Sequence, residues 1–389
     1  MKKKIFFIMV ITAFVSSALT ITGLCMLFNI DIQGAINLGR LLSAMRFIEA
    51  QYVQDVDKDK LISGAISGMV RSLGDPHSIY LEPKLYSQLK ADTSGTFGGI
   101  GVYMNFKDNG VQILNVIPDG PGDKAGLKTG DSILAVNSQP VSEIEYGEVA
   151  LKIRGEIGTP VELLIHREGE EDKTYTITRE IIKVQTVSSK MLDDKLGYIR
   201  ISNFSENTGK EFKAALEGLE NENMKGLILD LRQNPGGVIT SCVEVAREIV
   251  PKGPIVSVIQ RDGTKEVYTS DLEKPKFPIV VLLDQNSASA SELLSGALQD
   301  TKAAVIVGTK SYGKGSVQTV IPMFRDDGLK LTIAKYYTPN GRSIDGVGII
   351  PDVEVKLENP LPMTRELDTN ADNDAQLRKA EEILNEKIS

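Results

Sequence analysis

From Ile5 to Ile30 the chain runs for 26 residues without a formal charge, behind the basic tip Lys2–Lys4. A helix rises ~1.5 Å per residue, so a stretch of this length predicts a crossing of a ~30 Å hydrocarbon core. The lysines before it and Asp31 after it place the N-terminus in the cytoplasm and send the rest of the chain outward. A cleaved signal peptide is the alternative, because small residues around Ser16, Ser17, Ala18 and Thr20 offer a cut. The apolar run exceeds the usual signal core of about 7–15 residues, which favours an uncleaved anchor.

Past this segment the period of the pattern changes twice. From Gly34 to about Leu89, apolar positions recur at helical spacing, as in LLSAMRFIEAQYV and LISGAISGMVRSL, with a turn at Gly74–Pro76. From Gly95 to about Ile182, short β-branched runs alternate with glycine-bearing turns, interrupted by one helical stretch, Glu143–Ile153. From Lys195 strands alternate with helices: LGYIRIS, FKAALEGLE, GLILDLR, VITSCVEVAREIV, IVVLLD, SELLSGALQD and AVIVG. That order predicts an α/β layer architecture. TRELDTNADND reads as a solvated linker, and Ala375–Ile388 as a polar-faced helix. The expected division is 1–30 basic tip and anchor, 31–90 helical region, 91–182 β-rich module, 183–358 α/β core, and 359–389 linker and last helix.

Composition narrows the chemistry. Over 389 residues, 52 acidic against 44 basic side chains leave a net charge of -8, so nothing draws the chain to a phosphate backbone and nucleic acid is not an expected partner. Cys25 and Cys242 lie in unrelated settings, which excludes a disulfide framework, a CxxC pair and a cysteine-rich zinc site; no metal or cofactor is expected. The two histidines, His77 and His166, sit in a GDPH turn and a charged hairpin, and there is no GxSxG elbow, so a histidine triad is disfavoured. DTSG at Asp92 is single and lacks the glycine an aspartic protease would need.

Three strings carry candidate function. In FGGIGVYM, Gly98, Gly99 and Gly101 surround Ile100 ahead of Val102; successive N–H groups in such a turn form a nest suited to a terminal carboxylate, or the glycines merely permit a tight turn. In DQNSASASELLSG, Ser289 stands between an apolar strand and a helix, where helix N–H groups can serve as oxyanion donors. Glu292 three residues on makes a capping box the competing account. In VGTKSYGKGSVQTVIP, Gly308–Lys314 fits GxxxxGK, but Gly315 replaces the magnesium-binding hydroxyl and a strand-like run follows, so this is not a phosphate loop. If that run is a strand from Lys314 on, its period of two puts Lys314, Ser316 and Gln318 on one side.

FGGIGVYM, together with VIPDGPGDKAGLKTGDSILAVN over Val116–Asn137, resembles the PDZ fold of bacterial proteases. The resemblance implies a peptide groove between the strand beginning at Ile100 and the helix ending near Ile153, with Ile100 and Val102 facing an incoming strand. Arg154 follows that helix and either couples groove occupancy to the rest of the chain or is simply solvated. Adding GMVRSLGDPHSIYL, LILDLRQNPGG, NSASASEL and GTKSYGKGSVQ, the chain from about Ala44 to Glu354 resembles the carboxyl-terminal processing peptidases. That resemblance implies a multidomain α+β protein whose protease core has the crotonase/Clp-protease-like layers. It implies Ser289 as nucleophile, Lys314 as general base, Gln318 orienting the lysine, and oxyanion donors at Ala290 and Gly236, with Gly237 as the alternative. Protein substrates bound by apolar C-termini, an extracytoplasmic location and a homodimer through the helical region follow from the same analogy. A lysine takes a hydroxyl proton only when neutral, and moving its pKa from ~10.4 to ~7–8 takes roughly 3–5 kcal/mol of burial and hydrogen bonding, so packing is expected around Lys314. A noncatalytic PDZ adaptor keeping the protease fold is the alternative reading. An enoyl-hydratase-like enzyme would need a basic, glycine-rich cradle for CoA, and none is visible.

Overall fold

The computed structural model describes residues 2–27, 31–107, 110–144, 146–358 and 373–388. The chain separates into two units, Met1–Tyr80 and Leu81–Ser389. The first is helical: Lys2–Leu27, Ile32–Gln51 and Lys58–Arg71. Aspartates start the second and third helices, Asp31 accepting from the Gly34 N–H and Asp57 from those of Asp59 and Lys60. No residue of Ile32–Gln51 is buried.

The membrane-crossing helix expected over Ile5–Ile30 is not supported. Its helix ends at Leu27, residues 28–30 lie outside the described ones, and among the described residues no helix is long and apolar enough to cross a membrane. Five hydroxyl residues lower the apolarity of the stretch; two of them, Thr12 and Thr20, donate back to the carbonyls of Ile8 and Ser16.

In the second unit, residues 102–178 form a sheet whose strands run in the order Val102–Lys107, Gly110–Val116, Ser132–Val136, Pro160–His166 and Lys173–Thr178, with the short Gln139–Pro140 beside Ser132–Val136. The helix Tyr146–Ile153 closes over it, and Ile113, Ile133, Val149, Leu163 and Ile165 form its core. Arg167 forks onto the buried Asp131 at 2.7 and 2.8 Å, fixing one end of this module.

The larger layer is a sheet in the order Val187–Met191, Leu196–Ile201, Gly226–Asp230, Ile279–Leu283, Ala304–Gly308 and Val353–Glu354, parallel except for its first pair. Both faces are covered, which explains why its central strands read as unbroken apolar runs. Ile199, Leu229, Val281 and Ile306 face the helices Thr208–Asn221, Ile239–Ile249 and Ala290–Asp300. Tyr198, Ile228, Val280 and Val307 face the last helix, Ala375–Ile388, through Leu377, Ala380 and Leu384. The helix anticipated as polar-faced therefore has a fully buried stripe. A second sheet joins Gly253–Gln260, Lys265–Ser270, Gly328–Tyr337 and Ser316–Pro322 through antiparallel pairs.

Candidate active site

Ser289 stands at the junction of the strand Ile279–Leu283 and the helix Ala290–Asp300, half-buried, with φ 55° and ψ -114°. A non-glycine residue held there costs of order 1–3 kcal/mol and needs a stiff surround. The buried Asp284 supplies part of it, accepting the N–H groups of Gln233, Asn286 and Ser287. Glu292 supplies more. Its carboxylate is fully buried and takes four donors: the Ser289 and Lys314 N–H groups on Oε2, both at 2.8 Å, and the Gly313 N–H at 2.7 Å and Ser311 hydroxyl at 2.6 Å on Oε1. The capping-box spacing is thus real, but the same carboxylate also anchors the Lys314 loop.

Gly236 and Gly237 face Ser289 from the loop after Gly226–Asp230. A Cβ on Gly236 would lie 2.7 Å from Ser289 Cβ and 2.8 Å from the Ala290 N, so only glycine permits this approach. The Gly236 N–H donates to Asn234 Oδ1 at 2.9 Å, which commits the amide expected to serve as an oxyanion donor. Among the described residues the Gly237 and Ala290 N–H groups have no hydrogen-bond partner.

Lys314 lies just before the strand Ser316–Pro322, and the register of that strand shifts between Val317 and Gln318. Strand alternation from Lys314 to Gln318 therefore does not operate as expected: the lysine is outside the strand and a bulge intervenes. Both nevertheless line one cavity of about 740 Å³ with Ser289, Gly236 and Gly237. The Gln318 amide nitrogen donates to the hydroxyls of Ser316 and Thr332, at 2.8 and 3.2 Å. Gly315 allows the Asp345 backbone to press against the lysine loop, where a Cβ would come within 2.5 Å of the Asp345 N.

Sequence reasoning missed two groups here. One is the long-range part of Glu292's bonding, three of its four donors. The other is Tyr336, buried on the neighbouring strand, whose hydroxyl donates to the Lys314 carbonyl while its own N–H donates to the Gly315 carbonyl at 3.1 Å. Burial pushes its phenol up, so it stays a donor. Cys242 packs behind the site, donating to the Ala290 carbonyl; burial pushes its thiol up to about 12, which rules it out as a nucleophile.

The cavity also reaches the PDZ-like module. Arg154 stacks over the Phe97 ring at 4.1 Å, and both line the cavity with Asp92. Burial holds the Asp92 carboxyl above its usual range, against the pull of the Arg154 charge. Gly98 and Gly99 are not an open nest: they belong to the strand Thr96–Gly99, paired with Glu180–Lys183. Gly98 instead lets Gly155 approach, the Gly155 N–H donating to its carbonyl at 3.0 Å. Ile100, expected to face a peptide, is buried in the module's core, and its carbonyl accepts the Gly122 N–H at 2.7 Å; Gly101 accepts from Ile117. Val102 is half-buried against the same core and opens the edge strand.

Residues 195–355 match peptidase family S41, residues 98–178 match the PDZ domain, and residues 30–84 match the N-terminal domain of the activating protease CtpB. A carboxy-terminal-processing protease of Bartonella bacilliformis is 38% identical over 370 residues, 93% of this chain and 84% of that one. The carboxy-terminal processing protease CtpA of Bacillus subtilis is 39% identical over 362 residues, 91% of this chain and 77% of that one. A solved S41 protease structure from Bacteroides fragilis shares the fold at a TM-score of 0.51 and 16% identity, over 82% of this chain and 90% of that one.

Proposed function

We propose, since this chain belongs to the carboxy-terminal processing serine proteases of peptidase family S41, that it cleaves peptide bonds with Ser289 as nucleophile and Lys314 as general base. The observation that carries this reading is the shared cavity of Ser289, Lys314 and the Gly236–Gly237 loop, with one buried carboxylate fixing the first two. Neutral Lys314 Nζ takes the Ser289 proton as Oγ bonds to the scissile carbonyl carbon. The Ala290 and Gly237 N–H groups hold the resulting oxyanion, the Gly236 amide being engaged by Asn234. The Lys314 ammonium then protonates the amine as the C–N bond breaks, and water, deprotonated by the same lysine, releases the acyl group. Gln318, with its amide nitrogen on two hydroxyls, has its carbonyl oxygen left to accept from the lysine and adds no negative charge that would keep the amine cationic.

Selection of substrates by apolar C-terminal tails belongs to the same proposal. The strand Val102–Lys107 is a sheet edge, to which an extended tail can add beside the helix Tyr146–Ile153, its carboxylate held by the Ile100–Val102 turn. We place this activity outside the cytoplasm on the signal-peptide reading, in which the basic tip Lys2–Lys4 precedes an uncharged run with small residues around Ser16–Ala18; protease accessibility of the enzyme in intact cells tests that.

A fluorophosphonate probe tests the chemistry. It should label the wild type, miss Ser289→Ala, and label Lys314→Ala and Lys314→Arg far more slowly, since arginine is not neutralised near neutral pH. A folded, tail-binding wild type that takes no label would make the protein an adaptor instead.

A further inference from the structure

We infer that Asp374, at the head of the last helix, is a positioning residue for the oxyanion loop and acts on it through Arg232. The inference rests on reading that loop's glycine amide as a donor to the oxyanion. Arg232 is buried and holds both sides of the junction: Nε and Nη2 donate to Asp230, at 3.0 and 2.6 Å, while Nη1 donates to Asp374 Oδ2 at 2.7 Å and to Gln376 Oε1 at 3.1 Å. Asp374 Oδ1 meanwhile caps the helix Ala375–Ile388, accepting the Gln376 and Leu377 N–H groups at 3.0 Å each. Tyr198 completes the cluster by donating to Asp230 at 2.6 Å.

Arg232 is also the first turn residue of the segment leading to Gly236 and Gly237. The next residue, Gln233, sits at φ 59°, and Asn234 crosses to the Ile201 carbonyl at 2.8 Å. The loop is therefore pinned at its root from the far face of the sheet and at its tip from the near face. Helix docking alone does not call for this arrangement. Leu377, Ala380 and Leu384 already bury a full apolar stripe, and buried ion pairs are often replaced by apolar residues without loss of stability. What the charged cluster adds is a fixed position for the one arginine that begins the glycine loop.

Full-length Asp374→Asn separates position from stability. It can keep the Oδ1 cap but turns an NH2 group toward the guanidinium. The expected result is a roughly tenfold or greater fall in kcat with KM unchanged, the size of loss that misplacing an oxyanion donor causes. Affinity for a peptide aldehyde, whose adduct carries the oxyanion, should fall by the same factor. Binding of an uncut peptide to Ser289→Ala should not change when Asp374→Asn is added. Leu384→Ala is the control: it weakens the same helix, so it should melt earlier yet keep the wild-type kcat below its melting temperature. Wild-type kcat and aldehyde affinity in Asp374→Asn would overturn the inference, as would a matching kcat loss in Leu384→Ala. Cleavage surviving in Ser289→Ala would instead overturn the catalytic reading beneath it.

Discussion

The backbone amides of Ser289 and Lys314 donate to the same oxygen, Oε2 of Glu292, each at 2.8 Å. The two chain segments that carry Ser289 and Lys314 are thereby held by one buried carboxylate that touches both. Glutamine in its place offers one acceptor and one donor, so two of the four incoming donors would meet an N–H. Hydrogen bonds to a charged group contribute about 1.5–3 kcal/mol each, so Glu292→Gln should lower the acylation rate by about 100-fold or more. Stopped-flow labelling with the fluorophosphonate, alongside a thermal melt, measures both consequences. Acylation at the wild-type rate would show that the clamp does not set the geometry.

Much of this arrangement was legible in residue order. The parallel strands announced themselves as apolar runs, and the strand-to-helix position of Ser289 with Gly313 and Gly315 flanking Lys314 pointed to the site. What was not legible depended on distance in sequence. Glu292 reads as a local cap because three of its four partners, Ser311, Gly313 and Lys314, come from a remote loop. Ile100 reads as groove-facing because a glycine-rich string does not reveal which side its lone apolar residue takes; in the fold it joins the core with Val111, Ile113 and Leu127. The bulge after Val317 is equally silent, and the buried stripe of Ala375–Ile388 is diluted by eight polar side chains in the same fourteen residues.

Gly98 should tolerate no side chain. An added Cβ would stand 2.1 Å from the Gly155 carbonyl oxygen, backbone against backbone, with no flexible atom to give way. Gly98→Ala should cost about 3 kcal/mol or more, at the upper end of overpacking. Gly158→Ala is the comparison, since φ is +84° there and nothing lies within 4 Å; backbone strain alone predicts about 1–2 kcal/mol. Urea midpoints distinguish them, and equal losses would mean that the Gly98–Gly155 contact opens readily.

Asp92 links the cleft to pH. Burial raises its carboxyl above the usual range, with the Arg154 charge opposing. Between the unfolded value of about 4 and the raised native one, the native state binds the extra proton, so this group makes stability fall as pH rises through that window. The lost stability is regained on acidification. Asp92→Asn should flatten this part of the curve and stabilise the protein slightly at neutral pH, the effect being small because the side chain keeps a solvent-facing side. Melting temperatures collected across the acid range check the slope, and an unchanged slope would deny Asp92 any share in it.

Tyr336 offers the sharpest separation of placement from packing. Its hydroxyl donates to the carbonyl of Lys314 and its N–H to that of Gly315, so one buried residue holds both of these successive peptide carbonyls. Phenylalanine retains the ring and the N–H bond and deletes the hydroxyl, removing the donor to the Lys314 carbonyl and the hydrogen bond to the Ser289 side chain. A net hydrogen bond of about 0.5–1.5 kcal/mol, expressed in the position of Lys314, predicts a kcat reduced about 2- to 12-fold with KM unaffected. A hydroxyl that serves packing alone would lower the melting temperature and leave kcat where it was. On the proposed mechanism, in which Lys314 takes the Ser289 proton, a loosened loop slows acylation at every pH and leaves the shape of the pH–rate profile intact. A displaced profile would instead mean that Tyr336 alters the ionisation of the base.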